Sequence, residues 1–329
     1  MMRQSIFITI ITLVYIPVIL LSGTYIACAD ATLPSLPEGT GLAANYPGDT
    51  GIGEDAAVVF TENFESYMDS IFLGSSRWSD TRRDGAYIVR QPENVNSGSK
   101  ALEHVHNETL KGGGAHKTLS SGYDTLHVRY YMKYHEQFPG CHHAGGVGIS
   151  SKSYTQAGTK PNGSNLFLVK PDALAPFFSW SPSGNMPPGF LHVYVYHMDQ
   201  NSIYGSQFLP SGRVLGGDIN FGSSFVPKPD IILERGRWYC YELMVMLNTP
   251  DKRDGRIALW IDGKIVGDWH NIRFRTVNSL KADQLWFSTY SSQIHENKII
   301  WFDDIVAATS YIGPMTGTGS NEADNNALK

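Results

Sequence analysis

Cysteine is scarce in this sequence. Three cysteines occur among 329 residues, and one of them, Cys28, lies in an apolar N-terminal segment. The other two, Cys141 and Cys240, can form one bridge or stay free, but two thiols do not make a disulfide framework. Stability must therefore come from a hydrophobic core, and the chain between Ala56 and Pro314, about 260 residues, is long enough to build one large domain.

The sequence also has no basic tract. It contains 26 Lys and Arg against 31 Asp and Glu, which gives a formal net charge of −5 at pH 7. Proteins that bind nucleic acid or anionic membranes concentrate positive charge on one surface. The sequence therefore predicts no nucleic-acid partner.

A long apolar run occurs at the N-terminus, where an uncharged stretch extends from Ile6 to Leu21. A short basic start precedes it and Ala27-Cys28-Ala29 follows it, which predicts a signal peptide over residues 1–29 that is cleaved after Ala29. The stretch has about 16 residues, fewer than the roughly 20 that cross a bilayer, so we expect no membrane span after cleavage. We predict an exported protein that is periplasmic, on the cell surface or secreted; a spanning anchor and a lipid anchor on Cys28 are the alternatives.

Long helical patterns are absent as well, and short strand patterns take their place. Residues 30–55 are rich in Pro, Gly, Ala and Asp and predict a linker or a strap, whereas residues 316–329 predict a disordered tail. Residues 56–315 between them carry β-branched or aromatic segments bounded by turns. These segments include 126–135, 238–247, 256–261, 264–269, 284–290 and 298–307.

These segments predict an all-β domain. Asp262-Gly263 separates two of them and is a strong signal for a hairpin turn. Many short antiparallel strands in one long domain are typical of a jelly-roll β-sandwich of two antiparallel sheets. Such a sandwich offers a sheet face on which a ligand can lie across several strands.

One strand pattern is rich in phenols. The alternation between Leu191 and His197 places three aliphatic side chains on one face and His192, Tyr194 and Tyr196 on the other. Tyrosine and histidine can stack on a sugar ring, donate hydrogen bonds to hydroxyls or exchange a proton with a carbon acid. We therefore take this polar face as a candidate site; the alternative is an aromatic ladder whose hydroxyls reach solvent.

The order of short motifs along the chain resembles that of a known family. The motifs in question are Phe138-Pro139-Gly140, His142-His143-Ala144-Gly145-Gly146, Lys160-Pro161-Asn162-Gly163, Tyr194-Val195-Tyr196-His197, Tyr204-Gly205, Gly236-Arg237-Trp238-Tyr239, Trp260-Ile261-Asp262-Gly263, Arg273-Phe274-Arg275-Thr276, Trp301-Phe302-Asp303-Asp304 and Tyr311-Ile312-Gly313-Pro314. Through them the chain resembles, over residues 120 to 314, the concanavalin A-like jelly rolls of polysaccharide lyase family 14 and its exported bacterial relatives.

The resemblance implies an activity. Lyases of that family cut acidic polysaccharides such as alginate or glucuronan by β-elimination. This reaction needs a group that neutralises the uronate carboxylate, a base that takes the proton at C5 and an acid that protonates the leaving oxygen. The resemblance implies that Tyr194 and Tyr196 match the two tyrosines of the active cleft.

Two positions differ from the family pattern. Gln137 stands where the family has a lysine, and Leu168-Val169-Lys170 stands where it has Ser-x-Arg, which keeps a positive charge. Glutamine cannot act as a proton-transfer base, so His142 or His143 is the expected substitute, because histidine titrates in the right range. The predicted catalytic residues are Tyr194, Tyr196, His143 and Lys170.

Further polar side chains suit a polyanionic sugar chain. Arg129, Tyr131 and Lys133 share one face of their strand, and Arg273 and Arg275 share one face of theirs. Arginine pairs with a carboxylate through two hydrogen bonds and stacks on rings, although an ordinary solvated outer face is the alternative. The predicted substrate-binding residues are Arg129, Tyr131, Lys133, Gln137, His142, His192, His197, Arg273 and Arg275.

This chemistry requires no cofactor, but a structural calcium ion is an open alternative. Asp303 and Asp304 end the last strand pattern, and Glu62 and Glu65 from the first strand can supply further carboxylates. Carboxylate oxygens are the ligands that calcium prefers.

Other functions remain as alternatives to a lyase. A non-catalytic carbohydrate-binding protein can use the same face, and the fold also serves as a structural protein of the cell envelope. A glycoside hydrolase is disfavoured because the Glu-x-Asp-x-x-Glu pattern of concanavalin A-like glucanases is absent. Trp260, Trp286 and Trp301 are expected to fill the sandwich core rather than to bind sugar.

Overall fold

The computed structural model describes residues 34–68, 77–82, 85–106, 113–141, 143–174, 186–217, 225–290 and 297–317. The predicted signal peptide with Cys28, the predicted substrate residue His142 and residues 318–329 of the predicted tail lie outside this part of the chain. Within the described ranges, no helix has the length and hydropathy needed to cross a bilayer.

The described residues form short strands and a few single helical turns. The strands are β1 (Val58–Glu62), β2 (Asp80–Arg82), β3 (Ala86–Val89), β4 (Ala101–His106), β5 (Gly114–Tyr123), β6 (Thr125–Tyr134), β7 (His143–Ser150), β8 (Leu168–Leu174), β9 (Phe190–Tyr196), β10 (Ser206–Phe208), β11 (Val214–Leu215), β12 (Trp238–Met246), β13 (Gly255–Ile261), β14 (Lys264–Ile272), β15 (Ala282–Tyr290) and β16 (Lys298–Ala308). The 3-10 helices are Leu42–Asn45, Pro47–Asp49, Ile52–Glu54 and Pro92–Asn94.

The strands form two 8-stranded sheets. Sheet A has the order β14-β13-β12-β6-β16-β4-β3, with β1 also paired to β16, and sheet B has the order β11-β10-β9-β8-β7-β15-β5-β2. Each neighbouring pair is antiparallel. The two antiparallel sheets confirm the predicted jelly-roll sandwich, and the turn at Asp262-Gly263 joins β13 to β14 as predicted.

The main hydrophobic core lies between the sheets. Alternate residues of each strand point into it: β6 contributes Val128, Tyr130 and Met132, and β9 contributes Val193 and Val195. Burying one such aliphatic side chain stabilises the fold by roughly 1.5–3 kcal/mol. The alternation read from the sequence of β9 therefore assigns its two faces correctly, with the aliphatic face in the core.

Residues 34–55, which we call the strap, pack on the outer face of sheet A. The indole of Trp260 donates a hydrogen bond to the carbonyl of Pro37 at 2.8 Å, and the backbone N–H of Ala43 donates to the carbonyl of Ile312 at 2.8 Å. The strap brings its own small apolar clusters, which cover β16 and β13. Sheet A is therefore buried on both faces where the strap crosses it.

The two described cysteines are separate thiols. Cys141 and Cys240 are both buried and free, so the bridge that the sequence left open is not formed. Burial raises the pKa of both thiols above the ordinary value for cysteine. They act as apolar filler rather than as nucleophiles.

Candidate functional site

The predicted catalytic tyrosines lie on the outer face of sheet B, beside polar residues of the neighbouring strand. The β8–β9 register pairs Lys170 with Tyr194 and Asp172 with His192. Cross-strand partners of an antiparallel pair point to the same face, so these four side chains are neighbours. Together with His143 at the start of β7 they form what we call the site cluster.

Asp172 is the centre of the site cluster. Its Oδ2 atom accepts from His143 Nδ1 at 2.8 Å and lies 3.2 Å from Lys170 Nζ, and its Oδ1 atom accepts from the backbone N–H of Ala173 at 2.9 Å. Burial alone would raise the pKa of Asp172, but the charge of Lys170 and the hydrogen bond from His143 outweigh it and hold that pKa well below its ordinary value. Asp172 is therefore a buried, ionised carboxylate at neutral pH.

His143 links the carboxylate to the tyrosines. Because a carboxylate can only accept, the hydrogen bond to Asp172 places a proton on Nδ1 of His143 and leaves the lone pair of the neutral ring on Nε2. The ring centroids of His143 and Tyr194 are 4.9 Å apart, and the side chain of His143 is 21% exposed. His143 is thus the member of the cluster with the clearest access to solvent.

The two tyrosines are more enclosed than the sequence suggested. The Tyr194 hydroxyl accepts from the backbone N–H of Gly205 at 3.0 Å and lies 3.5 Å from the Tyr196 hydroxyl. Burial, with the neighbouring Tyr196 as a second cause, raises the pKa of Tyr194 well above its ordinary value. Tyr196 itself is fully buried, and its hydroxyl accepts from the backbone N–H of Gly158 at 3.3 Å. The alternative of an aromatic ladder whose hydroxyls reach solvent is therefore wrong.

A layer of aromatic side chains explains this enclosure. Tyr154 packs edge-on against both Tyr196 and Trp286, with ring centroids 5.2 and 4.8 Å apart. The ring of His116 also packs against Trp286, with ring centroids 3.7 Å apart. The outer face of sheet B therefore carries a continuous aromatic row from the site cluster towards β5.

The tryptophans are buried, but outside the main core. Trp286 belongs to the cluster with Tyr154 on sheet B, Trp260 lies under the strap, and Trp301 packs with residues near β3 and β4. The prediction that they fill the space between the sheets is wrong in location, because each stands at an outward-facing position of its strand. Outer faces that are covered by loops need large apolar side chains too.

Three predicted substrate-binding residues are on the opposite sheet. Arg129, Tyr131 and Lys133 point outwards from β6 in sheet A, where Arg129 and Lys133 are buried and Tyr131 is partly buried. Arg129 pairs with Asp49 of the strap, and the ammonium group of Lys133 lies 4.5 Å from the ring of Trp301. They share one face, as predicted, but that face is separated from the site cluster by the core, and this corrects their assignment to the cleft.

The two predicted arginines after β14 have other partners. The Arg275 side chain is buried and donates to the carbonyls of Asn248 and Leu280 at 2.8 and 3.0 Å. Arg273 is partly exposed and pairs with Asp199 at 2.6 Å. The structure does not bring either guanidinium to the site cluster.

Of the remaining predicted residues, one lies in the site cluster and two lie outside it. His192 joins the site cluster, and burial lowers its pKa to about 4 although the carboxylate of Asp172 opposes this shift. His197 instead lies on the core side of its strand, where its Nε2 bonds Ser206 at 3.0 Å and its Nδ1 accepts from the N–H of Asp199. Gln137 is exposed in the turn after β6, where its side chain accepts from Asn297 at 3.0 Å.

The carboxylates proposed for calcium do not form an ion cage. Asp303 and Asp304 accept hydrogen bonds from the backbone and side chains of Asn96 and Ser97. Glu62 accepts from Phe64, Tyr67 and Trp78, and Glu65 accepts from Ser99 and Lys100. These donors use the carboxylate oxygens, and no group of three His, Cys, Asp or Glu side chains that could hold a metal ion is found among the described residues. The structural calcium ion stays a prediction.

Known proteins share this fold. Residues 188–292, which include β9, match the family described as Polysaccharide lyase 14. A variant of alginate lyase Aly36B in complex with an alginate tetrasaccharide is 17% identical with a TM-score of 0.52, and the match covers 79% of this chain and 100% of that one.

Two further solved structures are similar to this chain. The marine PL-14 alginate lyase from Aplysia kurodai is 17% identical with a TM-score of 0.51, covering 77% of this chain and 100% of that one. Alginate lyase vAL-1 from Chlorella virus is 12% identical with a TM-score of 0.50, covering 71% and 93%. No curated protein sequence matches the chain. At these identities the structures show that the fold is shared.

Proposed function

We propose that this chain is a polysaccharide lyase that cleaves an acidic, uronate-containing polysaccharide by β-elimination. The observation that carries the proposal is the contact of His143 with Tyr194, which sets an imidazole beside a phenol at 4.9 Å between ring centroids. The match of residues 188–292 to a polysaccharide lyase family supports it, because that range contains Tyr194. An imidazole and a phenol are the pair of groups that elimination needs for base and acid.

His143 and Tyr194 each carry out one proton transfer of the reaction. The lone pair on His143 Nε2 takes the proton from C5 of the uronate, and the C4–O bond breaks as the C4=C5 double bond forms. The leaving oxygen takes the proton of the Tyr194 hydroxyl, and both groups then return to their starting states by proton exchange with water. The backbone N–H of Gly205, which already bonds the Tyr194 oxygen at 3.0 Å, stabilises the phenolate while it exists.

The site cluster gains a net positive charge when His143 takes a proton. Lys170 stands directly across from Tyr194 and its charge is balanced by Asp172, so the imidazolium of His143 leaves one positive charge in excess, which suits a uronate carboxylate whose α-proton is removed. The ring of Tyr196, which is fully buried, packs edge-on against the ring of Tyr194. The alginate tetrasaccharide bound to the Aly36B variant supports a uronate polymer as the class of substrate.

We also propose that the protein is exported, with residues 1–29 as its signal peptide. A polysaccharide is too large to enter a cell, so a lyase must meet it outside the cytoplasm. Expression of the full chain in a bacterial host tests this proposal through the mass of the secreted form. A mature N-terminus at Asp30 supports export, and a chain that keeps its first 29 residues in the cytoplasm contradicts it.

A carbohydrate-binding protein without activity is the second candidate. The aromatic row of Tyr154, Trp286 and His116 favours it, because stacked rings bind sugars without any proton transfer. Such a protein retains glycan binding when Tyr194 loses its hydroxyl, whereas a lyase loses its reaction.

The experiment that separates the two candidates measures binding and cleavage together. The full chain is incubated with alginate, glucuronan and glycosaminoglycans, and the absorbance of the unsaturated product is followed. We expect cleavage of at least one polymer, and we expect Tyr194→Phe to lower kcat by about 10²–10⁴-fold while binding is kept. Tyr87→Phe, on β3 of sheet A, is the matched control and should keep full activity. Binding without cleavage of any uronate polymer would contradict the lyase proposal.

A further inference from the structure

We infer that Asp172 is the positioning residue that makes His143 the base of this site. The inference rests on the proposed function, because a base has a role only where a proton is removed from the substrate. Asp172 is separated from His143 by 29 positions in the sequence, and the pairing of β7 with β8 brings the two strands together. No sequence motif marks this carboxylate as part of the site.

The geometry fixes which nitrogen of His143 is reactive. Asp172 accepts the Nδ1 proton at 2.8 Å and is itself held by Lys170 Nζ at 3.2 Å and by the backbone N–H of Ala173 at 2.9 Å. A carboxylate held by three donors cannot rotate freely, so it selects one ring orientation and one tautomer for the imidazole. The lone pair is therefore kept on Nε2, the nitrogen opposite Asp172.

The charges also favour proton uptake by His143. Before the proton is transferred, the charges of Lys170 and Asp172 cancel each other, and the form of His143 that can act as a base is the neutral imidazole. After His143 takes a proton, the imidazolium faces the Asp172 carboxylate at hydrogen-bond distance, in a position where Asp172 is 1% exposed. Opposite charges at this separation attract strongly when water is excluded, so Asp172 stabilises the state that follows proton removal.

Further groups among the described residues face His143, and they leave this balance intact. Lys170 on β8 carries a positive charge that opposes proton uptake, but that charge is compensated by its ion pair with Asp172. His192 and Tyr194 on β9 are neutral at pH 7, since burial lowers the pKa of the histidine and raises that of the tyrosine. Tyr290 on β15 lies 6.4 Å from His143 between ring centroids. Asp172 is therefore the charge that acts most directly on the imidazole.

The test compares the buried Asp172 with the partly exposed Asp268, because both aspartates have a histidine and a basic side chain as partners. Asp172→Asn removes the carboxylate between His143 and Lys170, whereas Asp268→Asn removes a carboxylate of β14 in sheet A that lies 2.9 Å from His270 and 2.8 Å from Arg256 of β13. The rate on a uronate polymer is measured against pH for the full chain and both variants. We expect Asp172→Asn to lower kcat by about 10²–10⁴-fold with a change in KM below about threefold, because the wrong tautomer binds substrate but cannot take its proton.

The pH profile gives a readout that simple destabilisation does not move. The acid limb of kcat/KM should shift to lower pH by about one unit or more in Asp172→Asn, because the amide no longer favours the protonated imidazole. Asp268→Asn should keep the wild-type acid limb of kcat/KM and the wild-type kcat. An unchanged limb and rate in Asp172→Asn would overturn the inference.

A second variant controls for misfolding of Asp172→Asn. Asp172→Asn leaves Lys170 buried without its ion-pair partner, so Lys170→Met is added to remove both charges together. The double variant should fold, as judged by its unfolding midpoint. Its acid limb should shift in the same direction as in Asp172→Asn but by less, because the uncompensated charge of Lys170 is also removed. Nitrogen NMR of the wild type should report His143 protonated on Nδ1, and protonation on Nε2 would contradict the inference. If the wild type cleaves no uronate polymer, the proposed function fails first, and the role of Asp172 fails with it.

Discussion

At the scale of single residues, burial decides which protonation state each side chain brings to the site. Tyr194 stays a neutral phenol because burial raises its pKa, and Asp172 stays ionised because Lys170 and His143 compensate for burial. His192 stays neutral because burial lowers its pKa to about 4. A neutral phenol on Tyr194, an ionised carboxylate on Asp172 and a neutral imidazole on His192 are thus the states present at pH 7.

The buried histidines make the fold sensitive to acid. Burial lowers the pKa of His197 to about 4, against an ordinary value of about 6.5 in the unfolded chain. The unfolded state therefore binds more protons in this window, so the stabilisation is complete above pH 6.5 and is lost as pH falls towards 4. Urea unfolding should show that, between pH 7 and pH 5, the free energy of unfolding falls by on the order of 2 kcal/mol less in His197→Asn than in the wild type. An equal fall in the two proteins would show that the pKa of His197 is not lowered in the folded state.

Asp172 is the site residue that could not be predicted from the sequence. It follows Pro171, and a proline argues against a central strand, so the alternation of Lys170 and Asp172 on one face is not visible. Its partner His143 belongs to another strand, and strand pairing cannot be read from a single sequence. Tyr194 and His192 were predictable because their strand alternates without a break.

At the scale of the strands, the close approach of β7 to β8 sets the position of the site cluster. A Cβ atom at Gly148 would lie 2.6 Å from the carbonyl oxygen of Val169 and 2.8 Å from Cβ of Lys170. Both distances are shorter than non-bonded atoms allow, so only glycine lets the two strands pack here. This glycine thereby places Lys170, and Asp172 beyond it, beside His143.

Gly148→Ala should therefore damage both stability and activity. We expect a loss of roughly 1–3 kcal/mol in the free energy of unfolding and a fall in kcat of about 10- to 100-fold, because Lys170 and Asp172 shift away from His143. Gly53→Ala in the strap is the control, since its Cβ would come no closer than 3.5 Å to Thr61. Urea unfolding and the lyase assay measure the two effects, and wild-type values for Gly148→Ala would refute this role of the glycine.

At the scale of the whole molecule, the two sheets differ in what covers them. The outer face of sheet A is sealed by the strap, whose Asp49 pairs with Arg129, whereas the outer face of sheet B carries the site cluster and the aromatic row. The sequence predicts the sandwich and the residues that share each strand face. It does not predict which face the strap covers, because residues 34–55 have no apolar period. For that reason Arg129, Tyr131 and Lys133 looked like substrate ligands.

The chemistry of the product ends tests the central claim most directly. The full chain is incubated with alginate and glucuronan in heavy-oxygen water, and the fragments are analysed by mass spectrometry. Elimination creates an unsaturated uronate at each new non-reducing end and incorporates no solvent oxygen during cleavage, whereas hydrolysis adds one labelled oxygen and leaves saturated ends. We predict unsaturated, unlabelled ends from the wild type and none from His143→Gln or Tyr194→Phe. Saturated, labelled ends, or intact polymer in every case, would contradict the assignment of this site as a lyase.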